Sequence, residues 1–152
     1  MFSLFRKKKP FFTEPERSRI VEAVRTAELQ TSGEVRVFVE SHCPYMDAID
    51  RAGEIFFRLE MDETAEHNAV LVYVALKDRQ LAVFGDQGIH EKVGAAYWDK
   101  EVALMIENFN KENYADGISQ CVFEIGQALH QHFPYDKNTD KNELPDDIVF
   151  GK

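Results

Sequence analysis

The run Ala69 to Leu76, AVLVYVAL, constrains this chain more than any other segment. Eight successive apolar residues leave neither side of a strand polar, so the segment reads as the middle strand of a sheet covered by helices on both faces. Eight residues are less than half of what a bilayer-spanning helix requires, so no transmembrane segment is expected. The rest of the pattern is arranged around this strand.

Upstream, Thr13-Glu14-Pro15-Glu16 carries a capping box with a proline in the tolerant first turn, and Ile20, Val24 and Ala27 recur at helical spacing. Thr31-Ser32-Gly33 ends that helix. In Glu34 to Glu40, Val35, Val37 and Val39 share one side while Arg36 and Glu40 share the other, the pattern of a half-exposed strand. Ala48, Ile49, Ala52, Ile55, Phe56 and Leu59 then form an amphipathic helix of a length suited to a parallel crossover. Lys77-Asp78-Arg79 is a short polar turn, and Gln80 to Phe84 resumes the strand pattern, giving an antiparallel hairpin.

Three helical stretches follow: a short turn around Ile89 to Val93, a helix near Trp98 to Phe109 burying Val102, Met105, Ile106 and Phe109, and one from about Ala115 to His132. The order α-β-α-β-β-α-α-α predicts an α/β fold, a three-layer α/β/α sandwich with a small mixed sheet. The expected organisation is a basic, flexible segment over residues 1–12, a domain over 13–133 and a polar tail over 134–152. That tail still ends in Ile148-Val149-Phe150, which are worth burying.

The formal charge is −9, divided as +4 in residues 1–9, −11 in 10–135 and −2 in 136–152. An acidic body without a basic stripe repels phosphate backbones, so nucleic acid is not an expected partner. Residues 2–9, with phenylalanines beside Arg6 and three lysines, could touch an anionic membrane surface or simply be a disordered start. Their charge follows the apolar stretch, the reverse of a secretory signal. Cys43 and Cys121 lie far apart without a C-x-x-C pattern, and a cytoplasmic location is expected.

Candidate chemistry centres on Phe84-Gly85-Asp86-Gln87-Gly88-Ile89-His90. If the first two strands are parallel and the third antiparallel, Asp86, Asn68 and Glu34 share one edge of the sheet. Two carboxylates and an amide there could give oxygen ligands to a divalent cation, Ca²⁺ or Mg²⁺. Gly85 and Gly88 would permit a sharp turn, and the amides entering the next helix could hold an anion. The alternative is local: Asp86 caps the helix, Glu34 pairs with an arginine and Asn68 satisfies loop backbone. Glu63 and His67, His130 and His132, the Tyr97-Trp98-Phe109 group and Cys121 all read as structural, while Cys43 before Pro44 could be exposed.

The blocks TSGEVRVFVE, NAVLVYVALKDRQLAVFGDQGI and VGAAYWDKEVALMIENF, with YADGISQCVFEIGQAL after them, resemble the TPM domain family over roughly residues 13–133. That resemblance implies an α/β/α sandwich of Rossmann-like appearance, divalent-cation binding in some members and the acid-phosphatase activity proposed for plant relatives. The matching positions are Glu34, Asn68, Gly85, Asp86 and Gly88. Three functions follow as expectations: a cation-binding module, a metal-assisted phosphomonoesterase, or an assembly protein whose acidic surface and Ile148-Val149-Phe150 segment dock on an unknown protein partner.

Overall fold

The computed structural model describes residues 11–135 and 148–151. Of the basic segment expected over 1–12, residues 1–10 lie outside the described residues, as does most of the polar tail, while Phe12 is buried in the core and Phe11 packs against it. In chain order the elements are α1 (Glu14–Glu28), β1 (Glu34–Glu40), α2 (Ala48–Arg58), a 3₁₀ turn (Met61–Glu63), β2 (Ala69–Ala75), β3 (Gln80–Gly85), α3 (Gln87–Val93), α4 (Ala95–Asn110), α5 (Tyr114–His132) and β4 (Val149–Phe150). The α1 capping box forms as its sequence requires, with Thr13 Oγ1 accepting from Glu16 N and Thr13 N donating to Glu16 Oε1.

The sheet order is β3-β2-β1-β4, with β1 parallel to β2, β3 antiparallel to β2, and β4 parallel to β1. Alternation of side chains across the pleat divides the interior in two. Val35, Val37, Val39, Val70, Val72, Val74, Leu81 and Val83 meet α1, α4 and α5 on one face. Phe38, Leu71, Tyr73 and Ala82 meet α2 and the 3₁₀ turn on the other. The fold is the three-layer α/β/α sandwich with a mixed sheet.

Three details depart from the sequence reading. β1 is not half-exposed: Glu34 and Glu40 are 2% and 5% exposed, because α2 covers that face and supplies Arg51. Arg51 Nε and Nη2 grip Glu40 at 2.9 and 3.0 Å, and the Tyr73 hydroxyl donates to the same carboxylate. A charge buried in this way is retained only when its hydrogen-bonding capacity is met. The segment after residue 147 is not merely tail, since Val149–Phe150 adds a fourth strand beside β1, with Ile148 buried.

The third departure concerns α4. Ile106 is 44% exposed and Val102 only half-buried, while Trp98, Glu101, Met105 and Phe109 turn inward. Those four follow the same helical spacing, so an acid took the inward position that the apolar count assigned to Ile106. Glu101 shares a hydrogen bond with Glu124 of α5, and burial followed by the charge of Glu124 pushes its carboxyl up to about 7, against the opposing influence of Lys100. Tyr97 stands beside this pair, its hydroxyl donating to the Glu124 carbonyl at 3.1 Å.

The pH consequence follows from linkage. Folded Glu101 keeps its proton up to about 7, while the unfolded chain releases it near the ordinary value of 4.5. Between those values the folded state binds more protons, so this group's contribution is full below 4.5 and is lost as pH rises through 7. Glu101→Gln, which mimics the protonated acid, should therefore raise the melting temperature at pH 8 and leave it nearly unchanged below pH 5, as thermal denaturation across that range would reveal.

Candidate functional site

The register sets Glu34 opposite Ala69, and continuing the β2–β3 ladder sets Ala69 opposite Asp86, where Asp86 N donates to the Ala69 carbonyl at 2.9 Å. Glu34, Asn68 and Asp86 therefore occupy one edge of the sheet. They do not form one cluster. Glu34 is buried and sits two strands from Asp86, a Cα separation of roughly 10 Å at ordinary strand spacing. Among the described residues no three His, Cys, Asp or Glu side chains gather as a metal-binding group.

The edge instead carries a mesh that the sequence reading only partly captured. The Asn68 amide nitrogen donates to Ser32 Oγ at 3.2 Å and to Glu66 Oε2 at 3.4 Å, and Ser32 Oγ donates to Glu66 Oε2 at 3.1 Å. Asn68 N donates to Thr64 Oγ1 at 3.3 Å, and Glu34 N donates to the Asn68 carbonyl at 3.4 Å. Ser32 and Glu66 had no periodic or motif signature of their own; only the fold brings the end of the α1–β1 loop beside the approach to β2. On the other side of that loop, His67 Nδ1 faces Asp86 Oδ2 at 3.4 Å, with the imidazole 59% exposed and the carboxylate 11%. Glu63 and His67 are not on one helix, because residues 61–63 form a 3₁₀ turn and His67 has φ 51°.

Asp86 also caps α3, its Oδ1 accepting from Gln87 N at 2.8 Å. Asp86 thus fulfils the local role and leaves Oδ2 toward the rim. Of the first amides of α3, Gln87 N is held by Asp86 and Ile89 N by the His67 carbonyl at 3.3 Å, so two of the donors expected to serve an anion are engaged within the protein.

The two glycines are required by close packing. A Cβ on Gly85 would stand 2.3 Å from Trp98 Cζ2, and one on Gly88 would stand 2.2 Å from the Glu66 carbonyl oxygen and 2.6 Å from that of His67. Gly88 is therefore the contact through which α3 supports the 66–68 loop and holds the mesh in place. The remaining candidates are structural: Cys121 is buried with its thiol pushed up by the apolar surroundings, and His130 Nδ1 meets the Gln30 carbonyl at 2.8 Å. Cys43 is half-buried, its thiol donating to the Met46 carbonyl at 3.1 Å.

An α/β/α domain with an oxygen-rich rim at the sheet edge after β3 defines the class of protein. The model of the TPM domain family matches residues 6–128. This chain belongs to the TPM domain family. The NMR structure of the BA42 protein from the psychrophilic bacterium Bizionia argentinensis is 38% identical and superposes with a TM-score of 0.86, covering 95% of this chain and 99% of that one. The N-terminal domain of the cg2496 protein from Corynebacterium glutamicum shares the fold at 13% identity and a TM-score of 0.57, covering 82% of this chain and 86% of that one. No curated protein matches. No helix among the described residues is long and apolar enough to cross a membrane.

Gly88→Ala drives a methyl group into backbone carbonyls that cannot turn aside as a flexible side chain can. It should lower stability by about 1–3 kcal/mol, the ordinary cost of overpacking, and displace the Glu66, His67 and Asn68 amide resonances, which denaturant unfolding and an amide NMR spectrum would measure.

Proposed function

We propose that this TPM domain holds a hard divalent cation, Ca²⁺ or Mg²⁺, at the rim formed by Ser32, Glu66, Asn68 and Asp86, and serves as a binding or assembly module. The supporting observation is the chemistry of the donors: two carboxylates, a hydroxyl and an amide. Hard cations take such oxygen ligands, whereas softer metals favour imidazole and thiolate. The Asn68 amide now turns its nitrogen toward Ser32 and Glu66; a half-turn about its last torsion would offer its oxygen instead. Glu34, buried behind the rim, would add negative potential rather than a directly reachable ligand.

A metal-dependent phosphomonoesterase is the second reading, favoured by one observation. The exposed His67 imidazole beside Asp86 is a group able to hold or deliver a proton at the rim. Cation-dependent turnover of small phosphomonoesters that is lost in His67→Ala would move this reading into first place.

The direct test is a titration of the metal-free protein with Ca²⁺ or Mg²⁺, followed by amide NMR. Asparagine is as good a helix cap as aspartate, so Asp86→Asn removes the ligand charge while keeping α3 started. Shifts should concentrate on residues 32, 34, 66–68 and 86, and Asp86→Asn should weaken binding at least tenfold. Absence of shifts at millimolar cation, or unchanged affinity in the variant, would overturn the proposal.

A further inference from the structure

β3 is an edge strand, yet its outer side is sheltered. Asp86 N bonds to β2, and alternation along an antiparallel ladder then turns the backbone N–H and C=O groups of Phe84, Ala82 and Gln80 toward β2 and those of Gly85, Val83 and Leu81 away from it. On that outer side neither Val83 nor Gly85 makes a hydrogen bond to any described residue. Val83 is nevertheless only 3% exposed. Unpaired main-chain groups held out of bulk water are costly and call for a partner.

The shelter is a groove. α2 rises on one side of β3 and α4 on the other, leaving an open cavity of about 390 Å³ whose floor includes Val83 and Gly85. Ile49 of α2 forms one wall and Trp98 of α4 the other, with Phe84 between them and His90 and Asp99 supplying polar groups. Ile49 and Phe57 lie two turns apart on α2 and are 49% and 56% exposed, and Phe57 packs edge-on against Phe84 with ring centres 6.0 Å apart. Gly53, midway between them, leaves room for the Phe84 ring, where a Cβ would stand 3.2 Å away. Trp98 Nε1 donates to His90 Nδ1 at 2.9 Å, which fixes the neutral ring with its proton on Nε2, a donor.

We propose that this groove is a docking site for an extended peptide of a partner protein, which adds as a strand beside β3 and carries an apolar side chain flanked by lysine or arginine. The main-chain groups of Val83 offer one donor and one acceptor on the same residue, the pair that an antiparallel peptide residue satisfies. Successive side chains of such a peptide point alternately to the Ile49 wall and the Trp98 wall, both apolar. The basic preference comes from charge: Asp99 is exposed at the groove, and the body of the chain carries a large negative excess. The same charge opposes pairing of two copies through this edge. This inference does not depend on the cation reading, because the groove lies on the outer side of β3 and uses none of the rim oxygens.

The test is an amide NMR titration in the presence of EDTA, which keeps the outcome separate from cation binding. The probe is acetyl-Lys-Val-Leu-Val-Lys-amide, with the glutamate analogue acetyl-Glu-Val-Leu-Val-Glu-amide and a peptide N-methylated at the central leucine as controls. The lysine peptide should shift Leu81, Val83 and Gly85 together with the Trp98 indole, the glutamate peptide should bind at least tenfold more weakly, and N-methylation should abolish the Val83 shift. Asp99→Lys, at an exposed position, should reverse the preference between lysine and glutamate peptides. No shift along β3 at millimolar lysine peptide, or equal binding of the N-methylated peptide, would overturn strand addition; equal binding of both charges would overturn the basic preference.

Discussion

The parallel pairing of β1 with β2 is the constraint on which the rest of the molecule depends. Apart from half-buried Arg36, both strands are buried along their length, so the acids they carry must be neutralised within the protein or stand at a strand end. At one end, Glu40 is met by Arg51 and Tyr73. At the other, Glu34 begins β1 against the Asn68 carbonyl, and the polar groups of Ser32, Glu66 and Asp86 gather outside it. The first end is closed by a bidentate arginine; at the second Glu66 stands exposed, with the Asp86 carboxylate 11% exposed beside it and Glu34 buried behind. That difference separates a structural terminus from a candidate site more clearly than any single motif does.

Much of this arrangement was legible in the sequence because it rests on period. The eight-residue apolar run located β2, the alternation in Glu34 to Glu40 located β1, and the polar turn at residues 77–79 fixed the hairpin. Strand directions then placed Asp86, Asn68 and Glu34 on one edge. What period could not supply was depth. Glu101 and Ile106 compete for the inward side of α4, and the acid enters because it can share a proton with Glu124 on α5, a partner 23 residues away. β1 was similarly read as half-exposed, since alternation says which way a residue points and not what covers it.

The hydrogen-bonded edge proposed as a site was legible at the level of which segments meet, and illegible at the level of which atoms do. Ser32 and Glu66 belong to loops with no pattern of their own, so nothing local marked them. The glycines of FGDQGIH show that one spacing can serve two ends. Their spacing suggested a cradle for a ligand, while the absence of a Cβ at each is demanded by neighbouring protein: the Trp98 ring over Gly85, the loop carbonyls over Gly88. β4 was hidden for a different reason. Two residues cannot display a period, and Val149 and Phe150 become a strand by pairing with the free edge of β1.

Trp98 is the only tryptophan in the chain. Its indole lies on Gly85, next to the capping aspartate, and its nitrogen is tied to His90 at the end of the first turn of α3. A change in the position of α3 relative to β3 therefore alters the ring's packing and its hydrogen bond together. The molecule carries an intrinsic fluorophore where the rim and the groove adjoin, so unlabelled protein provides an optical signal sensitive to either.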